Sequence, residues 1–305
     1  MADLDIKRQL DATDVAEVER LIDRVRAADG HQPIDEHRWV DAAYGGRSEF
    51  AGLVLRAPGH DDLVAYAQVT RGPQSWAIDL LIDPHHRDDA LEVAPGLLDE
   101  ALYVIRSEGG GHVHYWVYEA TDAHSQIAAS AGLRPGRDLW QMRVALPLAE
   151  TTELETRPFR PGEDEDAWLA VNNAAFDWHP EQGGWTVADV HAREQEPWFD
   201  ADGFLVHERD GRMAGFCWTK IHPADAESGA PALGEIYVIA AHPDFHGQGL
   251  GRALTVAGLQ HLAASTTVGM LYVDADNAAA VRLYRSLGFD VHHTDRAYVG
   301  DVAPG

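Results

Sequence analysis

The stretch "EIYVIAAHPDFHGQGLGRALTVAGL", Glu235 to Leu259, decides how the chain is read. It opens with an apolar run of strand length, passes Pro243 and the glycines Gly247, Gly249 and Gly251, and continues as "RALTVAGL" with helical apolar spacing. The pattern is a strand, a turn and a helix. Glycines in such a turn let the backbone come close to a ligand, and the N–H groups that open a helix favour an anion. A phosphate-bearing ligand is the first expectation. A tight connection without a ligand would use the same glycines, so the rest of the chain has to decide.

The same order occurs once more. "AIDLLIDPHHRDDALEVAPGLLDEAL" (Ala77 to Leu102) aligns with the opening stretch when Pro84 is set against Pro243, and "HYWVYEATDAHSQIAASAGL" (His114 to Leu133) then falls on "MLYVDADNAAAVRLYRSLGF" (Met270 to Phe289). Each half opens with an acidic helical segment and ends in strand-like material, "LWQMRVALP" (Leu139 to Pro147) and "DRAYVGDVAP". Between Phe204 and Lys220 two strands joined at Gly211 read as a hairpin, whereas Glu235 to Val273 reads as a parallel crossover. The expected fold class is α/β, with a mixed (α+β) sheet and helices packed on it, built as two tandem copies. The boundary is expected in "LAETTELETRP", residues 148–158, giving domains 1–150 and 151–305. Under the three glycines the first copy has Asp88, Ala90 and Glu92, with Asp89 beside them. Carboxylates there repel phosphate, so the first copy reads as a degenerate, structural domain and the second as the working one.

Fifty acidic residues against 24 basic ones, a formal net charge of −26, argue against nucleic acid or an anionic membrane surface as partner. A 45% hydrophobic content over 305 residues supplies two packed cores. Cys217 is the only cysteine, so an intramolecular disulfide is impossible and a buried thiol in a reducing interior is expected. No long apolar run and no secretory leader pattern is present, so a soluble, cytoplasmic protein is expected; separately, a monomer is expected. The 17 histidines include "HVH" (His112, His114) and the pairs at 85–86 and 292–293, but no spaced Cys/His/carboxylate set accompanies them; no metal is expected.

The turn "HGQGLGRA" resembles the acyl-CoA pyrophosphate loop of the GNAT acetyltransferases, written Q/R-x-x-G-x-G/A, and "DNAAAVRLYRSLGF" (Asp276 to Phe289) is similar to that family's Asn-x-x-A-x-x-x-Y-x-x-x-G-F segment. "VNNAAFDWHPEQGGWT" (Val171 to Thr186), "FCWTKIHP" (Phe216 to Pro223) and "GEIYV" (Gly234 to Val238) further resemble the mycothiol synthase branch, strongly over residues 157–298 and weakly before. The resemblance implies two tandem GNAT-type domains, acetyl-CoA as donor, and a small thiol-sugar as acceptor: the cysteinyl amine of cysteinyl-glucosaminyl-inositol. Carried over, the acetyl-CoA contacts fall on Val238, Ile239 and Ala240, on the turn His246, Gly247, Gln248, Gly249, Leu250, Gly251 and Arg252, and on Asn277, Ala278, Ala279, Ala280, Val281 and Arg282. The acceptor contacts fall on Glu36, Glu181, Lys220, Glu235 and Tyr272, Glu36 drawing the first half into the site. One departure is His246 where the family has Gln or Arg, followed by Gly247 and Gln248 at positions often basic. Backbone amides remain, but Coulomb attraction for the pyrophosphate is reduced.

Acetyl transfer from a thioester to an amine requires a proton acceptor for the ammonium and a proton for the departing thiolate. Glu235, at the start of the strand leading to the turn, is read as the base, acting through water. Tyr284 is read as the acid, and Ala128 lies under it in the first copy. Two rival readings are an acetyltransferase of another small amine, which shares the cofactor residues, and a non-catalytic acyl-CoA sensor, which needs neither Glu235 nor Tyr284.

Overall fold

The structure is a computed structural model that describes residues 3–30, 33–34, 38–39, 49–56, 63–72, 75–177, 182–224, 229 and 231–305. The chain divides into two compact units, Met1–Asp138 together with Thr294–Gly305, and Leu139–His293. A single cut near residue 150 is therefore not the division that packing makes. Strand β6 (Arg134–Ala145) starts in the first unit and ends in the second, and β12 (Asp290–Val302) runs the other way. The two closing strands are equivalent in pattern, and nothing local to either specifies which sheet it joins.

In the first unit the sheet order is β1 (Asp3–Lys7), β2 (Phe50–Arg56), β3 (Leu63–Arg71), β4 (Trp76–Ile82), β5 (Gly111–Val117) and β12. Only β4 and β5 are parallel, joined through α2 (Ala90–Ser107). Alternate residues of β3 serve two cores. Ala65, Ala67 and Val69 pack with Leu97, Leu98 and Ala101 of α2, while Tyr66 packs with Leu21, Ile22 and Val25 of α1 (Ala12–Asp29). A short helix, α3 (Asp122–Ser130), adds Ile127 and Ala128 to the α2 side.

The second unit orders its strands β6, β11 (Val268–Asp274), β10 (Leu233–Ala241), β9 (Arg212–His222), β8 (Phe204–Arg209) and β7 (Arg157–Pro158). Helices α4 (Glu165–Ala175) and α5 (Val187–Glu194) cover one face, where Trp168 meets Phe204, Phe216 and Trp218. Phe204 stacks between Phe159 and Trp218 at 4.2 and 4.3 Å, contacts that contribute about 0.5–1.5 kcal/mol each beyond their buried area. On the other face α6 (Leu250–Leu262) and α7 (Ala278–Ser286) bury Leu254, Leu259, Val281 and Tyr284 against Cys217, Ile236 and Leu271. Gly258 permits the close approach of α6, because a Cβ there would overlap the Cys217 sulfur. Among the described residues no helix is long and apolar enough to cross a membrane.

Candidate active site

The site begins where two strands stop pairing. β10 and β11 run parallel but are in register only at Gly234↔Gly269, Glu235↔Met270 and Ile236↔Leu271, although β10 continues to Ala241 and β11 to Asp274. The cause is Tyr237. Register with β9 passes from Ile236↔Thr219 directly to Val238↔Trp218, so Tyr237 is an inserted residue that bends β10 and increases its twist. Beyond the bulge the His242 N–H donates to the Ala214 carbonyl at 2.9 Å. Alternation along the strand then turns the main-chain groups of Ile239 and Ala241 to the open side. The Ala241 carbonyl lies 3.1 Å from His246 Nε2, which leaves the Ile239 N–H and C=O to meet a ligand that carries amide groups. Val238 and Ala240 bury their side chains on the α4 side, and Ile239 packs on the α6 side.

The notch leads to the glycine turn. A short 3₁₀ turn, Pro243–Phe245, is followed by Gly247 at φ +75° and Gly249 at φ +77°, both in the left-handed region that a Cβ disfavours. Gly249 is the N-cap of α6 and brings no capping side chain, whereas α1 is capped by Asp11 and α7 by Asn277. The first intrahelical bond is Ala253 N–H to Gly249 O at 3.1 Å. The N–H groups of Leu250, Gly251 and Arg252 have no acceptor among the described residues. Nothing lies within 4 Å of a Cβ built on Gly247, Gly249 or Gly251, so the turn is uncrowded at those positions. An anion is the complement of this arrangement.

Positive charge comes from residues that sequence reading passed over. The β8–β9 hairpin turns at Asp210 and Gly211, both at positive φ, and carries Arg209 and Arg212 to the turn. Arg209 donates to the Gln248 side chain, and Arg212 donates to Asp244 at 3.0 Å with its guanidinium 4.9 Å from the Phe245 ring centre. Arg209, whose partner is a neutral amide, offsets part of the charge missing at His246, Gly247 and Gln248, which are all exposed, while Arg212 is ion-paired with Asp244. Arg252 also has its guanidinium engaged: Nε donates to Glu150 at 2.7 Å and Nη1 to Ser286 at 2.7 Å. Its hydrogen bonds hold the Glu150 carboxyl below the usual carboxylate range.

Three of the expected acceptor residues share one face of the sheet. Glu235 and Lys220 are cross-strand partners, and Tyr272 stands two residues beyond Met270, the parallel neighbour of Glu235. Lys220 is buried, with its ammonium 4.4 Å from the Trp198 ring centre and 5.8 Å from that of Tyr237. Tyr272 is exposed, and its hydroxyl accepts from Gln141 Nε2 at 2.9 Å. Glu36 and Glu181 lie outside the described residues. His222 belongs to this face too: its Nε2 is 2.6 Å from Glu235 Oε2. The signal for it was available, since His222 lies two residues past Lys220 on one strand.

Tyr284 comes from the opposite face. It packs with Ile236 and Leu271, whereas Glu235, one residue before Ile236, points the other way. Burial, and the nearby Cys217, push its phenol well above the usual value. The hydroxyl has no hydrogen-bond partner among the described residues. Asn277 Oδ1 accepts from the Ala280 N–H at 3.2 Å, so that side chain serves the helix start; Ala278, Ala279 and Arg282 are exposed, while Val281 is buried. Elsewhere in this unit Glu165, His191 and Glu194 bring possible ligand atoms within 4.8 Å of one another. Burial first, and then the neighbouring Glu165, raise the Glu194 carboxyl.

Among the described residues the first unit lacks these devices. β3 and β4 pair without a bulge from Ala65↔Ile82 to Arg71↔Trp76. The 3₁₀ turn Pro84–Asp89 passes straight into α2, with Ala90 at φ −57°, so no left-handed residue gathers free amides there. At the same distance before the aligned proline as Glu235 stands Trp76, whose Nε1 donates to the Gly110 carbonyl at 3.0 Å. Asp79, buried in β4, is held by Arg38 at 2.8 and 3.0 Å and by Gln68 at 3.2 Å.

A strand pair that parts beside an uncapped helix start is the architecture of an acyl-CoA-dependent transferase, and comparison agrees. The Acetyltransferase (GNAT) family matches residues 168–289. A tandem GNAT protein from the clavulanic acid biosynthesis pathway matches at a TM-score of 0.70 and 15% identity, covering 100% of both chains. The protein is a GNAT acyltransferase with the tandem fold. It is 41% identical to the mycothiol acetyltransferase of Acidimicrobium ferrooxidans over 90% of each chain. It is also 41% identical to that of Thermobispora bispora, over 91% of this chain and 93% of the relative. The chain belongs to the mycothiol acetyltransferase family.

Proposed function

We propose that this chain, as a cytoplasmic monomer, transfers acetyl from acetyl-CoA to the cysteinyl amine of cysteinyl-glucosaminyl-inositol, giving mycothiol, with the chemistry in the second unit. One observation carries the placement: Glu235 stands on one face of the sheet at the point where β10 and β11 part, and the uncapped start of α6 lies at the end of the same strand. The extended pantetheine arm of acetyl-CoA then lies in the notch, with its amides on Ile239 and its pyrophosphate on the amides of Leu250, Gly251 and Arg252. The amine approaches from the face of Glu235, Lys220 and Tyr272; Glu36 and Glu181, the other acceptor residues that the resemblance implies, lie outside the described residues. The first unit, with Trp76, Ala90 and Glu92 in place of the working residues, is structural.

The acceptor arrives as an ammonium, and Glu235 takes its proton, directly or through water. The free amine attacks the thioester carbonyl, a C–N bond forms, and the C–S bond breaks with its electron pair on sulfur; the attacking nitrogen gives up its second proton as the amide forms, and the departing thiolate takes up one proton and leaves as CoA–SH. Tyr284 donates to that sulfur. Its raised pKa lies above that of an ordinary thiol at about 8.5, so complete transfer is uphill and the main contribution is a hydrogen bond to developing thiolate charge.

The test is acetyl-CoA-dependent CoA release with the conjugate, glucosamine and free cysteine as competing acceptors, using wild type, Glu235→Gln and Tyr284→Phe. The conjugate is the preferred acceptor; Glu235→Gln loses about 10²–10⁴-fold in kcat, the range of general-base catalysis, and Tyr284→Phe lowers kcat with acetyl-CoA binding retained. Acetyl-CoA binding without turnover of any amine would support the sensor instead.

A further inference from the structure

We infer that His222 is the route by which the proton taken up by Glu235 leaves the site. The inference rests on the reading of Glu235 as the base. The nitrogen begins as R–NH3⁺ and ends as an amide R–NH–COCH3, so it sheds two protons per turnover, while the sulfur leaves as CoA–SH and accounts for one. The remaining proton must reach water before Glu235 can act again. Glu235 is badly placed to release it alone, since its side chain is 9% exposed. His222 bridges the gap: its Nε2 is 2.6 Å from Glu235 Oε2, and its own side chain is 37% exposed.

The strands hold the pair in place. Lys220 is the cross-strand partner of Glu235, and His222, two residues further along β9, projects from the same face. The contact occupies Oε2 and leaves Oε1, which has no hydrogen-bond partner among the described residues, to meet the amine. Imidazole is suited to the transfer because it accepts a proton at one nitrogen and gives one up at the other near neutral pH. Among the described residues, other charged or titratable groups on or beside this face include Lys220, Tyr237 of β10, Tyr272 of β11, His293 of β12 with its ring centre 6.3 Å from that of Tyr272, Arg143 of β6, and Arg193 of α5, which donates to the Tyr237 hydroxyl at 3.2 Å. The sequence of transfers is ammonium to Glu235 carboxylate, Glu235 carboxylic acid to His222 imidazole, and imidazolium to water.

The experiment measures kcat for acetylation between pH 6 and 9 in wild type, His222→Ala, His222→Gln and Glu235→Gln, with and without added imidazole. Loss of His222 lowers kcat by roughly 10- to 100-fold, at or below the lower end of general acid–base effects. The loss is largest at low pH and shrinks as pH rises, because stronger bases in solution then remove the proton. Imidazole restores His222→Ala in proportion to its concentration, which also shows that the variant is folded. Gln can donate to Glu235 but cannot take up a proton and pass it on, so His222→Gln is as slow as His222→Ala and is not rescued. A Gln variant with wild-type kcat and pH profile, or an Ala variant that is slow but indifferent to imidazole, would reduce His222 to a positioning residue and overturn the inference. Full activity in Glu235→Gln would instead remove the base itself, a separate failure.

Discussion

Replacing Gly249 by alanine separates the geometry of the anion turn from its chemistry. Gly249 has φ +77° and ψ 2°, and a Cβ there meets nothing within 4 Å, so the entire cost is in the backbone. An L-residue in that region costs about 1–2 kcal/mol relative to the right-handed alternative. The free enzyme can relieve the strain by letting the turn rotate, but the bound form needs the amides of Leu250, Gly251 and Arg252 to converge. The strain therefore appears as lost affinity, about 5- to 30-fold at 1.4 kcal/mol per decade. Isothermal titration with CoA and the KM for acetyl-CoA should both show it, while the KM for the acceptor and kcat at saturation stay near wild type. Gly251→Ala is the companion. Position 251 lies within α6, where alanine is comfortable, and its Cβ also meets nothing within 4 Å. Its effect on stability should be neutral or slightly positive, and any rise in KM reports a ligand approaching the backbone. Unchanged CoA affinity in both variants would refute the turn as the pyrophosphate site.

Three further outcomes follow from the packing and the buried groups. Gly258→Ala forces a methyl onto the Cys217 sulfur and should cost about 1–3 kcal/mol of stability by overpacking, read as a lower midpoint in urea; a variant as stable as wild type would mean that α6 can retreat from β9. Burial pushes the Cys217 thiol up to about 12, so at pH 8 its thiolate is about a thousandfold scarcer than that of an ordinary cysteine and native protein should label with a disulfide reagent only as fast as it unfolds. Labelling at the rate of a free thiol would contradict the burial. His114 is buried and held down to about 4, first by burial and then by His112, Arg137 and Arg38. Its folded pKa lies below the unfolded value of 6.5, so the stability it contributes is complete above about pH 6.5 and falls toward pH 4, on the order of 2–3 kcal/mol over that window. His114→Gln should flatten that part of the pH–stability curve in urea titrations; an unchanged slope would assign the loss to other groups.

Much of the site was legible because the relevant physics is local. The glycines from Gly247 to Gly251 marked a turn that a ligand can approach, and the apolar run before Pro243 marked a strand, whereas the helix cap made by Asn277 was not foreseen, that residue being expected only among the acetyl-CoA contacts. Asp88 and Glu92 in the first copy marked it as hostile to phosphate, and the structure adds that its turn also lacks the left-handed residues. Arg209 and Arg212 were missed because a hairpin brings them to the turn from a distant part of the chain, and His222 because its partner, Glu235, lies on the neighbouring strand.

The sequence by itself determined the tandem α/β fold, the order of its elements and the glycine turn after Pro243, because periodicity and glycine act over a few residues. Only the tertiary structure decided that β12 pairs with β5 and the end of β6 with β11, since two strands of equal pattern differ only in the neighbours that complete their hydrogen bonds and side-chain packing. It alone also showed that an inserted residue at Tyr237 parts β10 from β11. A bulge is a mismatch between two strands, and no property of one strand taken alone reveals it.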